Sequence, residues 1–457
     1  MLRIVLYSTD YAEAVVRGSP YVRYLNERSL YHLADLRRPD VRMVIITPGK
    51  LDQYVLDYHL RELYQLDGTA AQAALDRLVL VTPSPATRGS LAERVLMDPQ
   101  ILDRLDEERK QASAVELINW APSAASDALA LRLGVEPEEG PYEPSVRWGS
   151  KSGGKKALRI AGVFTSPGPS TIFRTGQDVE AVVKRMAQST PRPRYLIIKL
   201  NDPSWGNAIG NAVIDCAKLL RDDISQAIEM IAQPWEQFVQ EIPRYGAIVE
   251  HYLTGSVCSP SGQGYIDRHR NVLVLSTHDQ YVIDDKYSGC SYPASNDFAS
   301  KVRDAVVRVG KTLSIRGVHG HYGVDFIGFH NGELIAMEIN IRKVGPTHVF
   351  AYTSSLVASR AEEDGQLRVN HNPVNYVHRR LHKPDLLSGV DPRAAVEMLK
   401  SAGLHFNHET KQGVILHVLG ALQTCGFVEL TCVAYTSADA IALRQQVENV
   451  LLGANLR

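Results

Sequence analysis

The chain has 457 residues, of which 44% are hydrophobic and 22% charged, and its 50 basic and 51 acidic residues leave a formal net charge of −1. This length predicts two to four domains, and the balanced charge gives no sign of a nucleic-acid or membrane partner. Five cysteines without a CxxC spacing argue against a disulfide framework or zinc site, and no stretch approaches the roughly 20 apolar residues of a membrane span, so we expect a cytoplasmic protein.

Short apolar runs alternate with amphipathic helical patterns over the N-terminal part of the chain, and this βαβαβ order predicts a small parallel sheet. No GxGxxG motif follows the first strand, so we expect no dinucleotide site there. The predicted elements are strands Leu2–Tyr7, Val41–Thr47 and Leu78–Thr82 and helices Tyr21–Leu36, Leu51–Gln65 and Ser90–Arg109.

A Pro-, Gly- and Ser-rich segment, Pro137–Gly154, predicts a domain boundary. A larger mixed α/β region follows, and a break around Arg368–His382 precedes a last unit. The predicted strands are Tyr195–Leu200, Ala247–Leu253, Asn271–His278, the hairpin Gly323–Ile341 and Phe427–Tyr435, and the predicted helices are Asp178–Gln188, Asn211–Ile231, Asp297–Leu313, Asp391–Ala402, Gly413–Leu422 and Ala438–Leu452.

Two lysine-containing segments have features of phosphate-binding loops. The segment 149–156 nearly fits a P-loop, but Lys156 stands where Ser or Thr is required and no apolar strand precedes it, so it is either another phosphate contact or a basic linker. Lys199 lies in a buried-type strand before the small-residue loop 201–210, an arrangement that favours a phosphate flap. The alternative is an edge-strand lysine with its ammonium group in water.

The hairpin around Asn331-Gly332 gives the most specific signal. A two-residue turn there places Asp325 directly opposite Glu338, and Asn340 points to the same face. Directly opposed carboxylates destabilise a strand pair, whereas all-oxygen ligands suit Mg²⁺. We therefore predict a metal–phosphate site, to which Arg342 adds a phosphate or carboxylate contact; a solvated strand face is the alternative.

Two other motifs give weaker evidence of a functional site. His319 and His321 surround a glycine just before the hairpin, and such histidines are more typical of a turn than of a metal site. Cys290 has no recognisable histidine or basic partner, so we interpret it as a buried small residue rather than a nucleophile.

The chain has a lysine segment, a second lysine with a flap and then the carboxylate hairpin. In this order of segments it resembles the ATP-grasp superfamily and, within it, the peptide ligases of the pheganomycin and resorcinomycin type. The resemblance covers essentially the full length and implies an α/β protein with a pre-ATP-grasp α/β domain (1–125), an ATP-grasp fold of two α+β subdomains that clamp ATP (126–375) and a small α/β C-terminal domain (376–457). The segments that carry it are GSKSG (149–153), IIKLN (197–201), Gly206-Asn-Ala208, AIVEHYL (247–253), LSTHDQ (275–280), YSGCSYPA (287–294), the hairpin and GVILHVLG (413–420).

The resemblance also assigns roles to individual residues. It implies ATP phosphate contacts for Lys151, Lys199, Gly206 and Asn207, adenine contacts for Glu250 and Leu253, two Mg²⁺ ions on Asp325, Glu338 and Asn340, catalytic roles for Arg342 and Lys199, and substrate contacts for Asp279, Gln280, Arg342, Gly345, Thr347 and His348. Two segments depart from the family pattern: 202–206, where proline removes an amide donor, and 344–348, where the related ligases tend to have Gly-Gly-Thr-Thr-His.

These features predict an ATP-dependent carboxylate–amine ligase that works through an acyl phosphate. The resemblance implies a nonstandard amino or guanidino acid joined to a peptide N-terminus in peptide natural-product (antibiotic) biosynthesis. A free amino acid or a thiol such as coenzyme A as acceptor, or a nucleotide-binding module without catalysis, remains the alternative. The expected partners are a small carboxylic acid and an amine or peptide, with a homodimer left open.

Overall fold

The computed structural model describes residues 1–7, 20–202, 210–283, 286–362 and 365–453. Its first sheet has the order β3-β2-β1-β4, and its strands are all parallel, as predicted. The strands are β1 Leu2–Leu6, β2 Arg42–Ile46, β3 Leu78–Val81 and β4 Val115–Asn119, of which the sequence prediction missed β4. The helix predicted over Ser90–Arg109 is two helices, Leu91–Leu96 and Pro99–Lys110, because Pro99 begins a new helix.

A second sheet has the order β7-β6-β5-β8, with β5 Tyr195–Leu200, β6 Asn211–Asp215, β7 Ile228–Ile231 and β8 Ala247–His251. Helices Gly176–Ala187 and Trp235–Tyr245 pack against one face of this sheet. The helix predicted over Asn211–Ile231 is wrong, because β6 pairs with β5 and only Cys216–Leu219 is helical there. Pairing with a neighbouring strand overrides a local helical pattern.

The third sheet has eight strands in the order β13-β12-β9-β10-β11-β16-β18-β17, and every neighbouring pair is antiparallel. The strands are β9 Pro260–Ile266, β10 Val272–Ile283, β11 Lys286–Tyr292, β12 Gly320–Gly328, β13 Leu334–Asn340, β16 Asn375–His382, β17 Gly413–His417 and β18 Phe427–Ala434. A separate two-stranded ribbon joins β14 Arg368–Val369 to β15 Asn372–Pro373. The domain boundary predicted at 375/376 falls inside β16, so this sheet continues across it.

The helix predicted over Gly413–Leu422 is also wrong, because its first half is β17 and only Gly420–Cys425 is helical. The segment Pro137–Gly154, predicted as a domain boundary, contains the helix Tyr142–Gly149. The remaining helical segments are Pro20–Arg37 (3₁₀), Gln53–Asp57, Tyr58–Leu63 (π), Gly68–Leu75, Ala124–Leu133, Lys151–Ile160, Asn296–Ser314, Gly345–Val357, Pro384–Leu387, Pro392–Ser401 and Ser437–Gly453. Over the described residues, no helix combines the length and the apolar character needed to cross a membrane.

The two faces of the eight-stranded sheet differ in character. Helix Asn296–Ser314 covers one face, where Val324, Phe326 and Ile339 join its apolar core. Polar side chains of alternating strand residues line much of the other face, next to helix Gly345–Val357 and the segment Pro20–Arg37. This polar face carries the candidate site.

Candidate active site

The hairpin β12–β13 places Asp325 directly opposite Glu338, which confirms the predicted register. The connection differs from the predicted two-residue turn. The loop has three residues, 330–332, with Gly332 in the left-handed region at φ +77°. One residue of β13, Met337, bulges out of the pairing. The extra loop residue and the bulge compensate for each other, so the two carboxylates still meet.

Asp325, Glu338 and Asn340 form one hydrogen-bonded group on the polar face. The Asn340 amide donates to Asp325 Oδ2 (2.8 Å) and to Glu338 Oε1 (3.2 Å). The Gln280 amide donates to Asp325 Oδ1 at 2.5 Å. The structure thus brings together the three predicted metal ligands and adds Gln280, which the resemblance had placed on the substrate side.

The two carboxylates of this group differ in pKa. Burial, and then the charge of Glu338, raises the pKa of Asp325 to about 7. Burial acts in the same direction on Glu338, but the ion pair with Lys151 and the charge of Lys199 outweigh it and lower its pKa to about 2. Lys151 thus pairs with Glu338, whereas Asp325 accepts hydrogen bonds from the amides of Asn340 and Gln280.

Lys151 reaches the hairpin from the first turn of helix Lys151–Ile160. Ser150 caps this helix by accepting a hydrogen bond from Gly153 N (3.1 Å), and Ser152 N donates to Asn201 Oδ1 (2.7 Å), just beyond the end of β5. The predicted P-loop-like segment is thus a helix start, and its second hydrogen bond connects it to the smaller sheet. Lys151 forms its ion pair with Glu338 from this position.

Lys199 and Glu250 lie side by side on the face of the smaller sheet that is opposite its two helices. Lys199 Nζ is 2.8 Å from Glu250 Oε2, and Lys155 Nζ is 2.5 Å from Glu250 Oε1. All three side chains are buried. Burial opposes the charge of Lys199, but Glu250 raises its pKa, whereas the pKa of Lys155 is lowered, mainly by burial. Sequence reasoning missed Lys155; its only signal was a second lysine one helical turn after Lys151.

The residues predicted to contact adenine and to form the flap are described only in part. Glu250 is near the end of β8, and Leu253 lies half-buried two residues past the strand. The side chain of Glu250 is bound by the two lysines, which leaves the backbone of residues 250–253 as the available contact for adenine. Gly206 and Asn207, predicted in the flap, lie outside the described residues.

The segment after Arg342 starts a helix rather than a loop. Arg342 is half-buried, and its charge lowers the pKa of Asp325, although burial and Glu338 dominate that pKa. Thr347 Oγ1 accepts from Val344 N (2.9 Å) and donates to Gln263 Oε1 (2.6 Å), so its side chain is committed to holding the helix start. Gly345 lies against the ring of Tyr287, where a Cβ would come within 3.0 Å of a ring carbon.

Lys343 anchors the same segment and was not found from the sequence. Its ammonium donates to the backbone oxygen of Asn119 (2.8 Å), to Glu138 Oε2 (2.6 Å) and to Glu139 Oε1 (2.7 Å). Burial opposes the charge, but the two glutamates raise the pKa of Lys343. The residue next to Arg342 is therefore held by Asn119 at the end of β4 and by Glu138 and Glu139.

Two predicted substrate residues do not reach the site. Asp279 lies on the opposite face from Gln280, because side chains alternate along β10, and its Oδ2 accepts from Ser295 N (2.8 Å) at the start of helix Asn296–Ser314. His348 is fully buried, with its Nε2 3.1 Å from Glu429 Oε2, and burial lowers its pKa to about 4. The resemblance had implied substrate contacts for both residues.

The grouping fits a hard cation next to polyphosphate. The carboxylates of Asp325 and Glu338 and the amide oxygen of Asn340 are ligands of the kind that Mg²⁺ prefers, and the half-buried Asp325 carboxylate has no cation bonded to it among the described residues. Lys151 pairs with Glu338 of the larger sheet, and Lys155 and Lys199 pair with Glu250 of the smaller one. The arrangement is suited to holding a metal-bound phosphate chain.

Comparisons with protein-family models identify two regions. Residues 225–346 match the model described as "ATP-grasp domain", and residues 394–447 match the one described as "PGM1 C-terminal domain". The first match contains Glu250, Asp325, Glu338, Asn340 and Arg342, and the second lies beyond β16.

The chain is similar over nearly its whole length to the L-propargylglycine–L-glutamate ligase of Streptantibioticus cattleyicolor, with 40% identity over 453 residues that cover 99% of this chain and 94% of the relative. Among solved structures it is similar to biotin carboxylase of Campylobacter jejuni in a β,γ-ATP complex (TM-score 0.58, 11% identity, 98% and 90% of the two chains). It is also similar to the biotin carboxylase domain of Hydrogenobacter thermophilus 2-oxoglutarate carboxylase with MgADP (TM-score 0.57, 13% identity, 98% and 89%). At such low identity the two structures indicate the fold alone.

Proposed function

The chain belongs to the ATP-grasp ligases and is an ADP-forming carbon–nitrogen ligase, and from this premise we propose that it joins the carboxylate of one small amino acid to the amine of another through an acyl phosphate. One observation carries the proposal at the level of residues. The opposed carboxylates Asp325 and Glu338 share their face with Asn340 and lie next to Lys151.

We assign the phosphate chain to the lysines between the two sheets. Lys155 and Lys199 are held together by Glu250, so their ammonium groups keep fixed positions before nucleotide binds. Lys151, on the same helix as Lys155, pairs with Glu338 on the large sheet. Preorganised charges of this kind stabilise the charge that develops during phosphoryl transfer without further rearrangement.

Asp325, Glu338 and Asn340 would hold magnesium, two ions in this proposal, with Gln280 orienting Asp325. When bound, magnesium neutralises negative charge on the phosphoryl oxygens. The role of the chain is to keep the two carboxylates at one position on a rigid sheet. The bulge at Met337 serves this role by restoring their pairing.

Arg342 and the start of helix Gly345–Val357 are assigned to the acyl group. A donor carboxylate oxygen attacks the γ-phosphorus as ADP departs, and the amine then attacks the acyl carbon, so that phosphate leaves, a proton is released and an amide remains. Arg342 would steady the transferred phosphoryl group and the tetrahedral oxyanion, aided by the backbone N–H of Gly345. Lys343 holds Arg342 in place through Glu138 and Glu139.

The choice of substrates rests on the relative, whose name gives L-propargylglycine and L-glutamate. We propose a small amino acid as donor and a free amino acid as acceptor, in place of the peptide N-terminus expected from the sequence. The natural-product setting, the cytoplasmic location, the three-domain division and a homodimer stay predictions.

The test is mass spectrometry of reactions that contain ATP, Mg²⁺ and pairs of amino acids, with short peptides and coenzyme A as alternative acceptors. The expected product has the mass of both substrates minus water and forms together with ADP. The variant Glu338→Gln should lower ADP release by at least about 10-fold at limiting Mg²⁺, because one charged ligand is lost. The matched control is Glu333→Gln, which changes an exposed residue of the same hairpin. ATP binding without ADP release over the whole panel would overturn the proposal, and equal activity of the two variants would overturn the metal assignment.

A further inference from the structure

The polar face that holds the candidate metal ligands continues into the C-terminal part of the chain. Gln280, which contacts Asp325, lies opposite Cys290 on β11, and Cys290 lies opposite His378 on β16. Since directly paired residues share a face, and residues two apart along a strand do so too, Arg380 points to the same side as Asp325. β16 thus contributes an arginine to the floor of the site.

Arg380 is held on two sides and accessible on a third. Its Nε donates to Glu429 Oε1 (3.1 Å) and its Nη1 to the backbone oxygen of Tyr287 (3.2 Å). The guanidinium carbon lies 4.7 Å from the centre of the Tyr287 ring, the ring that packs on Gly345 beyond Arg342. The side chain keeps 19% of its surface exposed, and among the described residues its Nη2 has no hydrogen-bond partner. The Tyr287 ring therefore separates Arg380, whose Nη2 is unpaired in the part of the chain that the structure describes, from Gly345 in the segment that follows Arg342.

Glu429 fixes the direction of this arginine. Its carboxylate is fully buried, accepts from Arg28 as well as from Arg380, and lies 3.1 Å from His348 Nε2. The atoms of His348, His378 and Glu429 are close enough for a metal ion, within 4.8 Å of one another. Two arginines already exceed the charge of the single carboxylate, however, so a divalent cation would meet net positive charge. The cluster is better suited to hold an arginine that receives an anion.

Arg380 and the carboxylate group lie on well-separated strands of this face. Four strand steps lead from β12 to β16 in the sheet, about 19 Å between backbones at ~4.8 Å per step. The Arg380 side chain spans part of this distance from one end, and the carboxylate group with its phosphate spans part from the other. A substrate would occupy the space between Arg380 and the phosphate.

We propose that Arg380 binds the distal carboxylate of an acidic amino-acid substrate and so determines the specificity of the ligase, an inference that rests on the proposed function. Arginine forms paired hydrogen bonds with a carboxylate that lysine cannot reproduce. A neutral amide in the same position leaves part of the guanidinium unpaired. The C-terminal unit thereby selects the substrate, while the hairpin activates it.

The test compares acid and amide forms of the same substrate. ADP release is followed with L-glutamate against L-glutamine and L-aspartate against L-asparagine, each with a mixture of small neutral amino acids, ATP and Mg²⁺. The wild-type protein should favour an acid over its amide by roughly 10- to 100-fold in kcat/KM, the range for loss of a charge-assisted hydrogen bond. Arg380→Gln should remove this preference through KM for the acid, with kcat changed only a few-fold.

A matched control is available in the neighbouring residue. Arg379 lies on the other face of β16, with its guanidinium carbon 5.1 Å from the centre of the Tyr281 ring, so Arg379→Gln should keep the acid preference. Arg380→Lys retains the charge and should show an intermediate preference, and it gives the readout if Arg380→Gln fails to fold. Equal thermal midpoints for the Arg379 and Arg380 variants would show that the fold is intact.

The two ways of failing are distinct. Absence of ADP release by the wild-type protein with every pair overturns the proposed function itself. Turnover by the wild-type protein without acid preference, or the same preference in both Arg380 variants as in Arg379→Gln, overturns the role of Arg380 and leaves the ligase standing.

Discussion

Glu250 gives the sharpest test of how the site is preorganised. Its carboxylate lies between Lys155 and Lys199, and the three side chains are only 5%, 3% and 7% exposed, so solvent hardly screens the two ion pairs. Glu250→Gln keeps the shape and removes the charge. Lys155 still donates to the backbone oxygen of Ser166 (2.7 Å), whereas no second acceptor for Lys199 is found among the described residues. The substitution therefore affects Lys199 more than Lys155, because Lys199 loses its charged acceptor and has no other in the described part of the chain.

Removing one partner of a buried ion pair costs about 3–5 kcal/mol. The amide oxygen of glutamine can still accept one hydrogen bond, so we expect a loss near the lower end, about 3 kcal/mol, or roughly a 150-fold increase in local opening. The measurement is native-state hydrogen exchange of the β5 and β8 amides, which reports on this sheet rather than on the whole multidomain chain. The control is Glu180→Gln, because Glu180 pairs with Lys184 (2.6 Å) on an exposed helix face, where water screens the pair, and its loss should leave hydrogen exchange nearly unchanged.

The pH dependence of the stability of Glu250→Gln gives an independent test, because its direction can be predicted. Without Glu250, burial lowers the pKa of Lys155 and Lys199 in the folded state below their unfolded values. The folded variant then binds fewer protons than the unfolded chain, so its free energy of unfolding rises with pH. The deficit in thermal midpoint should be smaller at about pH 9.5 than at about pH 7. A loss no larger than that of Glu180→Gln, or a deficit that grows with pH, would refute the reasoning.

Two further substitutions test other parts of the site and its support. Lys155→Met should raise KM for ATP by roughly 10- to 100-fold, measured by ADP release, because a charged phosphate contact is lost, whereas Lys156→Met, one residue on and exposed, should leave it unchanged. Equal values for both variants would remove Lys155 from the site. Gly310→Ala should lower the thermal midpoint by the equivalent of about 1–3 kcal/mol, because a Cβ there would overlap the buried hydroxyl of Tyr322. Gly49→Ala, which faces open space, serves as its control, and a shared midpoint would contradict the packing argument.

The sequence predicts best where local pattern decides the structure. The bounds of β5 and the convergence of Asp325, Glu338 and Asn340 follow from strand alternation alone. Even there, the turn was predicted one residue too short, and the carboxylates meet only because Met337 bulges. A bulge depends on how the strand packs, which no pairing rule reads from the sequence.

The other mistakes in the sequence prediction concern residues whose position depends on partners far away in the sequence. Lys155 is one of two adjacent lysines, and only the contact with Glu250, 95 residues away, shows which of them faces the site. His348 was predicted to face substrate, but Glu429, 81 residues on, holds it in the core. β17 was predicted as the first half of a helix, but its β-branched residues Val414 and Ile415 favour a strand, and it pairs with β18.

The continuous eight-stranded sheet also bears on how such ligases can be recombined. A chimera that exchanges the C-terminal unit at residues 375/376 would cut through β16 and replace the strand that is hydrogen-bonded to β11. Each inherited C-terminal unit would bring its own residue at the position of Arg380, along with the groups that orient it. Crossover points that keep β11 and β16 from the same parent preserve this pairing, whereas points between them join strands that have not been selected together.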